Sequence, residues 1–87
     1  MAKPQVIRVG LLGFGTVGEG TYRMLVDNQA EILNKTGAKI EVVRIGVRDS
    51  QKKRSLPASH FTTDLQSIVS DENVDVVLEL IGGGKPR

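Results

Sequence analysis

The chain has no cysteine and no tryptophan, and among its 87 residues only Phe14, Tyr22 and Phe61 are aromatic. Without thiols there are no disulfides, thiolate-bound metals or cysteine nucleophiles, so a reducing, cytoplasmic setting is expected and nothing covalent staples the core. Three aromatics leave little for stacking on bases, and 12 Lys plus Arg against 10 Asp plus Glu give a net charge of only +2. Nucleic-acid binding is not expected. Long apolar runs are missing as well. The longest stretch free of charge, Val9 to Gly18, is ten residues, where a membrane span needs about 20. Arg8 interrupts the first apolar stretch and glycines follow it, which argues against a signal peptide and for a soluble protein. No group of His, Asp and Glu has metal-ligand spacing, and no nucleophile stands beside a base, so no metal and no catalytic residue is assigned. The length allows one small domain with a thin core.

What the chain does have is alternation of strand-like and helix-like segments. Val6 to Leu12 is short, apolar and β-branched at its start, and reads as a strand buried on both faces from Val9 onward. Thr16 to Lys35 contains no proline, and Val17, Thr21, Met24, Leu25, Asn28 and Ile32 recur at spacings of three and four. That pattern predicts a helix, with a kink or break at the poor helix formers Asp27-Asn28-Gln29 and a stop at Gly37. Ile40 to Val47 reads as a second strand and Arg48 to Ser59 as a polar surface loop. Thr63 and Gln66 form a capping-box pattern for a short helix that ends at Asn73. Val74 to Ile81 is the third strand, stopped by Gly82-Gly83-Gly84. The order β-α-β-α-β predicts an α/β fold in which three parallel strands, in the order 3-2-1, are covered by helices. This is half of a Rossmann doubly wound fold, so residues 1–87 are read as a partial dinucleotide-binding domain. Its first strand is left with an open edge, which predicts marginal stability or homo-oligomer formation through the exposed strand Val6 to Leu12.

Gly13-Phe14-Gly15-Thr16-Val17-Gly18 matches G-x-G-x-x-G. With 10 glycines in 87 residues such a match arises by chance about 0.12 times, so its context must decide. The first glycine directly follows a strand and the last lies in the opening turn of a helix. There Gly13 permits the tight turn, Gly15 lets the backbone approach a pyrophosphate, and Gly18 allows close packing of helix and strand. The N–H groups at the helix start, from Thr16 and Val17 onward, then face the phosphates, with the helix dipole favouring their charge. Phe14 is expected at an exposed turn, covering part of the cofactor.

A second discriminating position is the end of the second strand, where a carboxylate accepts from the ribose of NAD and an Arg accommodates the 2′-phosphate of NADP. Arg48 and Asp49 supply a candidate for each. Residues 48–54 carry four cations, Arg48, Lys52, Lys53 and Arg54, against one carboxylate. That excess favours NADP(H), with NAD(H) as the alternative, and Arg48 is the candidate phosphate ligand. Lys52, Lys53 and Arg54 fit a solvated loop. Gly82 and Gly83 lie at the carboxyl edge of the sheet, where ligands bind in open α/β folds. His60, the only histidine, is assigned no chemical role. Asp75 and Glu79 face one side of their strand, which places a polar contact at the site within reach of Glu79.

The runs from Ile7 to Gly18, Glu41 to Asp49 and Val74 to Gly83 resemble the amino-terminal, NAD(P)-binding part of homoserine dehydrogenase. V-R-D after the second strand and E-L-I-G-G after the third are the more specific elements. The resemblance implies an oxidoreductase that interconverts L-aspartate 4-semialdehyde and L-homoserine with NAD(P)H, in threonine, isoleucine and methionine biosynthesis. It also implies that Phe14, Gly15, Thr16 and Val17 line the pyrophosphate, that Arg48 meets the 2′-phosphate, and that Gly82 and Gly83 approach the nicotinamide half. The family's catalytic lysine and aspartate, its substrate domain and its dimerisation region are expected downstream of Arg87, so this part alone is expected to be inactive. Two alternatives stay open: another Rossmann dehydrogenase such as aspartate-semialdehyde dehydrogenase, or a non-catalytic NAD(P)H-sensing module.

Overall fold

A computed structural model describes residues 5–49 and 53–81. The elements are β1 (Gln5–Leu12), α1 (Thr16–Asp27), α2 (Gln29–Thr36), β2 (Ala38–Gly46), β3 (Phe61–Thr62), α3 (Leu65–Val69) and β4 (Val76–Glu79), with a 3-10 turn at Ala58–His60. All strand pairs are parallel, and the sheet order is β3-β2-β1-β4.

The parallel α/β class agrees with the sequence, but the strand order needs a correction. An order 3-2-1 is present, yet its third position is held by the two residues Phe61–Thr62, beside Ile45 and Gly46. The segment expected as the third strand is shorter than Val74 to Ile81 and lies on the opposite side of β1, as β4. The described residues therefore carry four strands in the order that begins doubly wound dinucleotide folds, and the order reverses between β1 and β4.

This placement also overturns most of the open edge expected at Val6 to Leu12, closing it from Arg8 onward. One side of β1 pairs with β2 along its whole length. The other pairs with β4 from Val9 to Leu12, and Asp75 extends the contact: its N–H donates to the Arg8 carbonyl and its carboxylate accepts the Arg8 N–H, both at 2.8 Å. Among the described residues the sheet edges are β3 and β4.

The predicted break falls at Asn28, whose side-chain amide and N–H both donate to the Met24 carbonyl, at 2.8 and 3.2 Å. An asparagine that satisfies the end of one helix competes with continuation into the next. Gly37 ends α2 at φ 75°, the left-handed cap, with its N–H on the Leu33 carbonyl.

The capping box at Thr63 and Gln66 is not formed. Asp64 caps α3 instead, its carboxylate accepting the Ser67 N–H at 3.2 Å, and Ser70 rather than Asn73 ends the helix. A carboxylate is at least as good an N-cap as a threonine hydroxyl, and it stands one residue closer to the apolar run.

The core lies on the α1 face of the sheet. It is built from Val9, Leu11, Phe14, Ile45 and Val47, with Tyr22, Ile40, Val42, Phe61, Leu78 and Leu80 packed around it. Along β2 the inward positions are 40 and 42, then 45 and 47. The step of three marks a register shift, at which the pairing with β1 skips Val43. On the other face Gly10 and Gly46 make room for α3: a β-carbon on Gly10 would stand 2.6 Å from Ile68, and one on Gly46 would stand 2.5 Å from Leu65. The same register shift turns Arg44 toward this face, where its guanidinium donates to Asp71 at 2.8 Å and to Ser67 at 2.9 Å.

Candidate functional site

A cleft of about 310 Å³ opens at the carboxyl ends of β1, β2 and β4, lined by residues 13–17, Val47, Arg48, Arg54, Leu80 and Ile81. It therefore sits where the strand order reverses, between β1 and β4, which is the position at which open α/β sheets bind ligands.

The three motif glycines are required for three different reasons. Gly13 has φ 110°, a conformation that side chains disfavour, and a β-carbon there would lie 3.0 Å from Ile81 and Leu80 at the end of β4. Its N–H donates to the Gly46 carbonyl at 2.7 Å, fixing the turn to the end of β2. Gly18 is buried, and a β-carbon there would collide with the carbonyl of Gly13. At Gly15 the case is the reverse: among the described residues, no atom beyond its own chain neighbours lies within 4 Å of where its β-carbon would be. Packing explains the glycine at 13 and 18 but not at 15. An open approach to the backbone fits a pyrophosphate there.

Gly15 is the N-cap of α1 and brings no side chain to its amides; residues 15–17 are exposed. Four N–H groups at a helix start lack intrahelical acceptors, and the dipole adds about half a positive charge. Glu19, in the first turn, is engaged elsewhere. Hydrogen bonds from Ser55 and then Arg23 hold its carboxyl below the usual range, Arg23 donating at 3.0 and 3.2 Å.

Phe14 departs from expectation. It is buried, with its ring edge-on to Tyr22 at 5.7 Å and to Phe61 at 5.1 Å. All three aromatics of the chain thus form one cluster beneath the motif, and residue 14 meets the cleft without an exposed ring to cover a ligand. The turn places the side chain at position 14 on the core face.

Among the loop cations, Arg48 and Arg54 line the cleft, while Lys53 is exposed and does not. Arg54 is the residue that sequence reasoning left in the solvated loop. Its guanidinium lies 5.1 Å from the centre of the Phe61 ring. Among the described residues no carboxylate lines the cleft. The Glu79 carboxylate accepts the Ile81 N–H at 2.6 Å instead of facing it. His60 belongs to a separate groove with Tyr22, Arg44 and Thr62. Lys52, Gly82 and Gly83 lie outside the described residues, as does any contact they make. Among the described residues no group of three His, Cys, Asp or Glu is placed to hold a metal, and no helix is long and apolar enough to cross a membrane.

Comparison with known proteins gives the same site a family. The model for the homoserine dehydrogenase NAD-binding domain matches residues 13–86. The homoserine dehydrogenase of Bacillus subtilis is 41% identical over 81 residues, which is 91% of this chain and 19% of that protein. That of Methylobacillus glycogenes is 46% identical over 79 residues, or 88% and 19%. Among solved structures, the homoserine dehydrogenase of Thiobacillus denitrificans is 44% identical with a TM-score of 0.80, covering 94% of this chain and 19% of that one. The S. aureus homoserine dehydrogenase at pH 7.5 is 36% identical with a TM-score of 0.81, covering 94% and 21%. The chain spans about a fifth of the length of the relatives it matches. With its glycine turn, its uncapped helix and its sheet order in agreement with that match, this chain belongs to the homoserine dehydrogenase family, as an NAD-binding Rossmann domain.

Proposed function

We propose that the cleft binds the adenosine and pyrophosphate portion of a nicotinamide dinucleotide, with NADP(H) preferred, for an enzyme that interconverts L-aspartate 4-semialdehyde and L-homoserine. The observation that carries this reading is the unfilled space at Gly15, in front of the uncapped start of α1 and at the reversal of the strand order. The names of the relatives favour this activity over aspartate-semialdehyde dehydrogenase or a sensing module.

In this reading the amides of residues 15–17 hold the pyrophosphate, Gly13 and Gly18 keep the turn and helix close enough to do so, and Arg48 pairs with the adenosine 2′-phosphate. Phe14 contributes backbone only. Gly82 and Gly83 follow Ile81 and are proposed to approach the nicotinamide half. When bound, the nicotinamide supplies the redox chemistry. The chain's own residues grip and orient it, and the substrate and catalytic groups are assigned to the parts of the enzyme that this chain does not cover. The setting proposed is the cytoplasm, in threonine, isoleucine and methionine biosynthesis, and the full enzyme is proposed to be a homo-oligomer whose contacts do not use the stretch Arg8 to Leu12 that β4 and Asp75 already cover.

Calorimetric titration with NADPH and NADH tests this. NADPH is expected to bind more tightly, and Arg48→Gln to remove roughly ten- to a hundredfold of its affinity, the worth of one charge-assisted pair. Failure to bind either nucleotide would overturn the cleft assignment, and tighter binding of NADH would overturn the role of Arg48. The chain alone is expected to turn over no homoserine above a no-protein control.

A further inference from the structure

We infer that Gly46, which lies outside the cleft lining, is a positioning residue for the pyrophosphate grip. Its missing side chain lets α3 press onto the end of β2, and this sets where the Gly46 carbonyl holds the glycine turn. The inference rests on the dinucleotide reading above and deepens it.

Gly46 needs no unusual backbone: its φ lies outside the left-handed region, which among the described residues only Gly13 and Gly37 occupy. Its neighbours impose the glycine. A β-carbon there would stand 2.5 Å from Leu65 Cδ2, 2.9 Å from Ile68 Cδ1 and 3.3 Å from Leu12 Cδ2. Leu65 is half-buried and can swing aside, but Ile68 is fully buried and its Cγ2 already fills the space over Gly10. Nor can α3 lift freely, because Arg44, two residues before Gly46, ties it to β2 through Asp71 at 2.8 Å and Ser67 at 2.9 Å. In a close-packed interior, a methyl group added at 46 is therefore taken up in part by the backbone at the end of β2.

That backbone is bonded on both sides. The peptide joining Gly46 and Val47 is one rigid plane; its carbonyl accepts the Gly13 N–H at 2.7 Å, and its N–H donates to the Thr62 carbonyl at 2.8 Å. On the far side the turn is braced against the end of β4, with the Leu80 N–H on the Leu12 carbonyl at 2.8 Å and Ile81 against Gly13. The turn therefore does not follow a displaced Gly46 carbonyl, and the bond between them lengthens. Gly13 in its turn backs the start of α1 at Gly18. Without that support the amides of residues 15–17 are aimed less well, and misaligned donors hold a phosphate less tightly.

The test titrates NADPH and NADH into this chain and into Gly46→Ala, with circular dichroism confirming the fold. NMR reads the scalar coupling across the hydrogen bond from the Gly13 nitrogen to the Gly46 carbonyl carbon. Gly46→Ala is expected to lose the coupling and to weaken both nucleotides equally, by roughly three- to tenfold, the worth of one hydrogen bond. Adding Leu65→Val and Ile68→Val removes the two nearest obstructing atoms while keeping most of the side-chain volume. This triple variant is expected to fold, to regain the coupling and to bind within about twofold of the unaltered chain. A folded Gly46→Ala with unaltered affinity or an intact coupling overturns the proposal, as does a triple variant that fails to fold or binds no better than Gly46→Ala. If Gly46→Ala does not fold, the triple variant decides: affinity and coupling near those of the unaltered chain support the proposal, and loss of either overturns it. Each of these failures leaves the dinucleotide reading standing. The reading itself falls, and this inference with it, if the unaltered chain binds neither nucleotide.

Discussion

The backbone of Gly18 lies directly against the carbonyl group of Gly13, so that a β-carbon on Gly18 would stand 2.8 Å from the carbonyl carbon and closer still to its oxygen. The first turn of α1 therefore rests on the loop that feeds it. This contact aims the helix start into the cleft.

A matched pair of substitutions on α1 tests that contact. Gly18→Ala places a methyl group into backbone that cannot move aside, and is expected to destabilise the fold by roughly 1–3 kcal/mol. Gly20→Ala lies on the same helix, where nothing beyond its chain neighbours and the helix's own backbone lies within 4 Å of its β-carbon position, and is expected to stabilise by about 0.5–1 kcal/mol through a stiffer unfolded chain and better helix propensity. Urea unfolding midpoints that move in the same direction for both would show that the approach of Gly18 to Gly13 does not limit packing.

Phe14 invites a second test because it is buried among Tyr22 and Phe61 instead of capping a ligand. Phe14→Ala is expected to cost about 3–5 kcal/mol, enough to unfold a domain of this size. Phe14→Leu, which keeps most of the volume, is expected to cost about 1.5 kcal/mol or less and to leave nucleotide affinity unchanged. A Leu variant with native stability but weakened nucleotide binding would return the ring to the ligand.

Features set by local physics were legible in the sequence. Gly37 ends a helix because glycine takes the left-handed cap, and Asn28 breaks one because its amide satisfies the preceding turn. The motif glycines likewise announce a strand-to-helix turn. Features set by distant partners were not legible. Val42 and Val43 are equally apolar, so only the pairing with β1 shows that Val43 is skipped. Phe61–Thr62 is a strand only because Ile45 and Gly46 are beside it, and β4 reaches the far side of β1 through no signal in its own residues. Arg54 is separated from Lys53 by the position of Phe61, which no reading of the charged loop contains.

Gly10 and Ile68 supply a coupling test for α3. A β-carbon on Gly10 would lie 2.6 Å from the Ile68 Cγ2, so Gly10→Ala is expected to destabilise by roughly 1–3 kcal/mol in the presence of Ile68. Ile68→Ala removes the obstructing methyl at the cost of a buried side chain. The double variant is expected to be more stable than the sum of the two single losses, with a coupling of about 0.5–3 kcal/mol. Strict additivity would mean that α3 is not seated on Gly10.

Asp71 makes stability depend on pH in a defined direction. Its carboxylate accepts the Asn73 N–H at 2.8 Å and the Arg44 guanidinium at 2.8 Å, and these bonds hold its pKa below the ordinary 3.8, the Asn73 bond contributing most. A carboxyl group lowered in the folded state binds fewer protons there than in the unfolded chain. Its stabilisation is therefore complete above 3.8 and is lost as pH falls through the lower folded value. Glu19, lowered in the same way from 4.5, adds a second contribution that begins to fade at slightly higher pH. Asp71→Asn is expected to be less stable than the unaltered chain at neutral pH, and the gap is expected to close as urea unfolding is repeated from about pH 5 down to about pH 3. The variant should retain the shallower acid slope that belongs to Glu19. A gap that stays constant down to pH 3 would mean that the carboxylate charge of Asp71, and with it the pairing to Arg44 across the α3 face, does not contribute to holding β2 and α3 together.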